Sequence, residues 1–290
     1  MDLISALLLL LSTLLSTARN IFSKGISVFE FGAKKFYLSQ TVIFLGGGIS
    51  ALLFDKVNFS ELAFVTLIYS IIYAVLLISA QWFYTTAMST GNVSVCATVY
   101  SLGFILPTLS GSLFWNEKLD FLDIIGIICV AVAILLSALK TKNSSGESKT
   151  NKYIVPLIIA FFASGGLGIM QKVQQKSQFP DQKGLFIFIS FILAAVISFV
   201  FFLTAKKSEE KLKDKKLLMA VAIGLCIGCV SLLNTTLIGR LKSSIFFPTF
   251  DITVIFMSIL SGMIIFKEKL TKRNNLVFLL GVLSIILLNL

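Results

Sequence analysis

Histidine is absent from all 290 residues. That removes the most frequent general base and the most frequent metal ligand among side chains. Charge is scarce as well: 13% of residues are Asp, Glu, Lys or Arg, against about 25% in an ordinary soluble domain. Cysteine occurs only as Cys96, Cys129, Cys226 and Cys229, each inside an apolar run. Cys226-x-x-Cys229 reads as a pair of small packing residues on a buried helix, and no disulfide is expected. No G-x-x-x-x-G-K-[ST] phosphate loop is present. Gly46-Gly47-Gly48 lies in an apolar run with no following lysine and reads as helix packing. Intramembrane catalysis needs paired carboxylates, a histidine metal set or a Ser/His pair, and the chain supplies none of them. The expectation is no enzyme, no metal and no cofactor.

What the chain does have is apolar length. Hydrophobic residues make up 57% of it, and the mean hydropathy is +0.95. A water-soluble core could not enclose that much apolar surface, so the lipid bilayer is the solvent that fits. The net charge of +11 sits in short clusters between apolar runs, such as Lys206, Lys207, Lys211, Lys213, Lys215 and Lys216. This is membrane-flanking charge, and nucleic acid is not an expected partner. The run Leu3–Ala18 has no basic segment before it and no A-x-A site after it, so it reads as a retained membrane helix rather than a signal peptide.

A bilayer core about 30 Å thick takes roughly 20 residues per helix. That ruler divides the chain into ten spans at 3–22, 36–54, 62–88, 93–115, 121–139, 153–173, 184–205, 217–239, 244–266 and 274–290. No Asp, Glu, Lys or Arg occurs from Leu62 to Asn116. As one helix that stretch would be about 80 Å long, so it must fold back, and Ser89-Thr90-Gly91-Asn92 is the turn near its middle. The polar stretch 141–152 lies mid-chain and separates a first half, 1–140, from a second, 153–290.

The halves resemble each other. Ser110-Gly111-x(5)-Glu117-Lys118-Leu119, or Ser110-Gly111-Ser112-Leu113-Phe114-Trp115-Asn116-Glu117-Lys118-Leu119 in full, ends span four. Ser261-Gly262 and Glu268-Lys269-Leu270 repeat it at an offset of 151 at the end of span nine. Within a residue of that offset, Thr85-Thr86 meets Thr235-Thr236 and Lys24 meets Lys176. Five spans per half is an odd number, so the second copy enters the membrane from the opposite side. The fold class expected is therefore an all-α membrane protein of ten transmembrane helices in two inverted five-helix repeats.

On these residues the chain resembles the drug/metabolite transporter superfamily, and its EamA-like ten-helix members in particular. Gly126 follows Glu117 by nine residues as that pattern expects, whereas the second copy has Val277 there and Gly281 beyond. The resemblance covers the whole chain. It implies a secondary transporter of a small metabolite in the cell membrane, often working outward, without ATP and as a monomer. It also implies a central cavity lined largely by spans three, four, eight and nine.

An ionisable group in hydrocarbon needs a reason. Asp251 lies eight residues into span nine, just past Pro248. It could carry a proton as the cavity alternates, bind a cationic substrate, pair with Arg19 or Arg240, or sit wet at a helix end. Arg19, beside Asn20, suits a carboxylate or phosphate in a cavity, or snorkels to the headgroups. Lys172 beside Gln171 takes the matching place in span six. Gln81, Trp82, Tyr84, Tyr100 and Asn234 become substrate-binding candidates by the resemblance, with interhelical hydrogen bonding as their plain alternative. Glu117 and Glu268 read as bonding the ends of neighbouring helices, and Gly224-x-x-x-Gly228 as a close-packing pair. Pro107 is expected to kink span four.

Basic residues divide 18 to 7 between the two alternating sets of links. The richer set contains links 1–2, 5–6, 7–8 and 9–10. That count places both termini outside, whereas the resemblance implies both inside. The reading is thus an exporter of small metabolites such as amino acids, with proton coupling through Asp251. The alternative on the same fold is an exporter of cationic drugs or a flippase of lipid-linked head groups.

Overall fold

The computed structural model describes residues 2–25, 33–90, 99–138, 154–205, 214–266 and 272–289. Among them are ten α-helices and no strand. These are α1 (Leu3–Gly25), α2 (Ala33–Phe54), α3 (Phe64–Thr90), α4 (Ile105–Trp115) and α5 (Phe121–Ala138). They continue as α6 (Ile154–Gln175), α7 (Lys183–Thr204), α8 (Asp214–Arg240), α9 (Ser243–Phe266) and α10 (Lys272–Asn289). Each falls on one expected span. Six of them, α1, α2, α3, α6, α7 and α8, contain stretches long and apolar enough to cross a membrane. The other four carry shorter apolar stretches: Val99–Trp115, Phe121–Leu136, Ser243–Met257 and Leu279–Leu288. The linker 141–152, the turn residues Gly91 and Asn92, most of the lysine-rich link and Glu268 lie outside the described residues.

Helix is the form these runs must take, because in hydrocarbon only a helix satisfies its own backbone. Side chains follow the same logic. On α1, Leu3, Leu7, Leu10, Leu11 and Leu14 are exposed while Ser5, Ser12 and Ser16 are buried. Neighbouring hydroxyls bond back to the helix, Thr13 to the Leu10 carbonyl and Thr17 to the Thr13 carbonyl, both at 2.8 Å.

The chain forms two compact units that do not follow the mid-chain linker. One comprises residues 4–75 and 170–239, and the other 1–3, 76–169 and 240–290. The cut passes through α3 at Leu76 and through α6 after Ile169, so each unit draws helices from both halves.

In the first unit α2 and α7 pack antiparallel. Lys34 Nζ stands 5.0 Å from the Phe202 ring centre, Phe44 meets Phe191 edge-on at 6.4 Å, and Asp55 pairs with Lys183 at 3.1 Å. Gly46 of α2 faces α8, whereas methyl groups on Gly47 and Gly48 would meet Phe191 and Ile192 of α7. A methyl group on Gly46 would lie 3.1 Å from the Gly224 Cα, and one on Gly228 would strike the Gly47 carbonyl and Ser50. Both glycine groups thus serve close packing, as expected.

In the second unit α9 packs on α4, α5 and α10. Pro107 lies in the first turn of α4, directly after the 3-10 turn Leu102–Phe104. Its missing N–H falls where little is lost, so the expected kink takes the form of a 3-10/α junction. Pro248 sits inside α9, which runs on through it.

Candidate functional site

In the second unit the end of α4 carries the residues shared by the two halves. Asn116 closes the helix in the left-handed region at φ 52, and the Glu117 amide donates to the Gly111 carbonyl at 3.2 Å. This turn aims the Glu117 carboxylate at the start of α9, where its Oε2 accepts from the Ser243 amide at 2.7 Å. A methyl group on Gly111 would lie 2.5 Å from that carboxylate oxygen and 2.7 Å from the Ser243 Cβ. The spacing of Ser110-Gly111-x(5)-Glu117 therefore has a physical reason: glycine clears the place that the carboxylate and the neighbouring helix occupy. Asp123 Oδ2 accepts at 3.2 Å from the Asp120 amide and at 3.4 Å from the Ser244 hydroxyl. Glu117 bonds a neighbouring helix end, as expected; Glu268 is not described.

Two turns further along α9 lies Asp251. It is half-buried, between the half-buried Phe250 and the buried Ile252. Ile252 packs against Gly281 of α10, where an added methyl would lie 2.9 Å away. Among the described residues the Asp251 carboxylate makes no ion pair and no hydrogen bond. Nearby, the buried Thr249 hydroxyl has no hydrogen-bond partner among the described residues, while its carbonyl accepts from Thr253 at 2.7 Å.

The aromatic candidates come together in the same unit. Tyr84 and Tyr100 stack at a tilt of 36° with ring centres 4.4 Å apart. Tyr84 also packs on the cluster of Ala87 and Leu157. Ser164 of α6 donates to the Tyr100 carbonyl at 3.1 Å. Gln81 and Trp82 are half-buried on α3, each with interactions of its own.

The first unit holds Arg19, Asn20, Gln171, Lys172 and Asn234. Here α1 runs antiparallel to α8. Ser12 donates to Asn234 Oδ1 at 2.5 Å, and Phe22 packs against the cluster of Ile43, Ala220 and Ile223. Arg19 donates to Asn20 Oδ1 at 3.3 Å. Gln171 and Lys172 are buried and committed to the backbone of α8. Gln171 Nε2 donates to the Ser231 carbonyl at 3.2 Å and Lys172 Nζ to the Ile238 carbonyl at 3.3 Å. A cation is favourable near the carbonyl end of a helix, so Lys172 has a structural task there.

Sequence reasoning missed Ser12, Thr249 and Asp123. The signal for Ser12 was present: Ser5, Ser12, Ser16 and Arg19 recur at helical spacing on one face of α1. No such signal exists for Asp123, whose bond to Ser244 joins residues 121 positions apart, or for Thr249.

Ten mostly apolar helices, with buried hydroxyl and amide groups turned toward one another, define a multi-pass membrane protein. Residues 151–290 match the model of the EamA-like transporter family, which is part of the drug/metabolite transporter superfamily. Members of that family are membrane transporters of small molecules rather than enzymes. An uncharacterized protein of Haemophilus influenzae strain Rd is 28% identical over 182 residues, covering 60% of this chain and 58% of that protein. The chain thus matches a little over half the length of that relative. A solved crystal structure shares the fold, with a TM-score of 0.77 at 13% identity, covering 99% of this chain and 96% of the other.

Proposed function

We propose that this chain is a secondary transporter that exports small metabolites such as amino acids across the cell membrane by alternating access. It works as a monomer, with ten crossings in two inverted repeats, 1–140 and 153–290. Support for inversion comes from α2 and α7, which correspond at the 151-residue offset and pack antiparallel. Corresponding helices of a direct repeat would run the same way. The links also group as an inverted pair requires. Gln182, between α6 and α7, bonds the α2–α3 link at Glu61 and Ala63, and Glu117 bonds Ser243 at the start of α9.

The observation that carries the function is Asp251. A carboxylate within an apolar helix and without a counter-charge among the described residues is costly unless it binds something. It takes up a proton in one phase of the cycle and releases it in the other. Gln81, Trp82, Tyr84 and Tyr100 belong to the same compact unit and supply hydrogen bonds and aromatic surface to the cargo. Arg19, Asn20 and Asn234 are further candidates for cargo contact, and Gln171 and Lys172 hold α8.

The test is flux in proteoliposomes across a metabolite panel under an imposed proton gradient. At least one panel member should move, and Asp251→Asn should abolish gradient-driven uptake while leaving counterflow exchange. A panel on which nothing moves would defeat the reading. The same unpaired carboxylate also favours a second cargo class, organic cations. Growth of an expressing strain on toxic cations separates the two.

A further inference from the structure

We propose that Gln40 of α2 and Ser198 of α7 hold one water molecule between them, in a buried site that ties the two helices together. The site goes beyond the transporter reading and does not depend on it.

Register brings the two residues to one level. Because α2 and α7 pack antiparallel, a step forward on one helix matches a step back on the other. Tyr37 meets Phe201 with ring centres 5.5 Å apart. Three residues forward on α2 is Gln40, and three back on α7 is Ser198. Their facing agrees as well. Phe44 and Phe191 meet across the same interface at 6.4 Å. Gln40 lies one turn from Phe44, and Ser198 two turns from Phe191, each on the same side of its helix. Gln40 is 2% exposed and Ser198 0%. Each lies about 10 Å inside the nearer end of its apolar stretch, Ala33–Phe54 and Pro180–Thr204.

Hydrogen bonding says what lies there. Polar neighbours on both helices bond back to their own backbone. Ser39 donates to the Phe36 carbonyl at 2.7 Å, Thr41 to the Tyr37 carbonyl at 2.8 Å, and Ser190 to the Phe186 carbonyl at 2.6 Å. Gln40 Oε1 and Ser198 Oγ differ: both are buried, and neither has a hydrogen-bond partner among the described residues. A polar group buried in that way destabilises the fold unless something satisfies it. The amide oxygen accepts, and the hydroxyl both donates and accepts, so one water can serve both. Two neutral groups cannot offset the charge of an ion in hydrocarbon, whereas a water needs only two to four polar partners. Ala194 and Ala195, one turn before Ser198, are buried and small, which leaves the space beside Gln40 unfilled by side chains of α7.

Reversible unfolding of the full-length protein by SDS in mixed micelles reads the bridge. Ser198→Ala should raise the unfolding constant about fivefold, the worth of one net hydrogen bond, and Gln40→Leu by a similar factor. The double variant should be no worse than about the larger single change, because either change alone already releases the water. Ser198→Asn carries an amide across the gap in place of the water and should return the unfolding constant to near the native value. A Ser198→Ala protein as stable as the native one, or more so, would overturn the proposal, since deleting an unsatisfied group costs nothing. Two single effects that simply multiply in the double variant would do the same. So would a Ser198→Asn protein less stable than Ser198→Ala, which would mean that no room for a water exists between the two groups.

Discussion

The Glu117 carboxylate accepts the backbone N–H of Ser243 at 2.7 Å, tying the turn after α4 to the first residue of α9. The two residues are 126 positions apart. Glu117 acts as a borrowed cap for a helix whose first amides have no partner within the helix. It also bears on Asp251, because α9 begins from this joint and Asp251 lies two turns along it.

Loss of that cap should be measurable. Glu117→Ala should cost about 1–2 kcal/mol, the usual worth of a cap with a charged acceptor. Glu117→Gln keeps an acceptor oxygen and should cost less. Thermal unfolding of the purified protein in detergent gives the answer, and an unchanged midpoint for the alanine variant would remove the joint from the account.

Glycine packing between α2 and α8 predicts a contrast. Gly224→Ala pushes a methyl into the Ile43 carbonyl and within 3.0 Å of the Gly46 Cα, where only backbone can yield. Gly166→Ala meets the tip of Leu76 at 3.0 Å, a side chain that can turn aside. The first should destabilise by about 1–3 kcal/mol, as overpacking does, and the second by clearly less. Equal losses in SDS-induced unfolding would argue against this interface.

Gln182 should prove costly to remove. Its Oε1 accepts from the Ala63 amide at 3.1 Å and the Thr66 hydroxyl at 2.7 Å, and its Nε2 donates to the Glu61 carbonyl at 2.6 Å. Gln182→Ala should lose about 1–3 kcal/mol, and hydrogen exchange at the Ala63 amide should quicken. Gln182→Glu keeps both acceptor contacts and should protect that amide nearly as well as the native residue.

The Asp55–Lys183 pair should count for little. Its side chains keep 17% and 27% of their exposure, so water screens the attraction. A double-mutant cycle should return about 0.2–1 kcal/mol, shrinking as salt is added. A coupling several times larger would mean the pair is desolvated by something outside these two helices.

The sequence by itself determined the class of this protein and the places of its helices. Apolar runs of about 20 residues can satisfy their backbone in a membrane in essentially one way, and hydropathy is a property of each residue along the line of the chain. The matching boundaries at Glu117 and Glu268 were legible for the same reason, and so was the oddity of Asp251. What those residues touch was decided by tertiary structure alone. The partner of Glu117 is Ser243, that of Ser12 is Asn234, and the compact units cut through α3 and α6 rather than at the linker. Each of these depends on which face of one helix meets which face of another, across separations of more than a hundred residues, and hydropathy carries no term for that pairing.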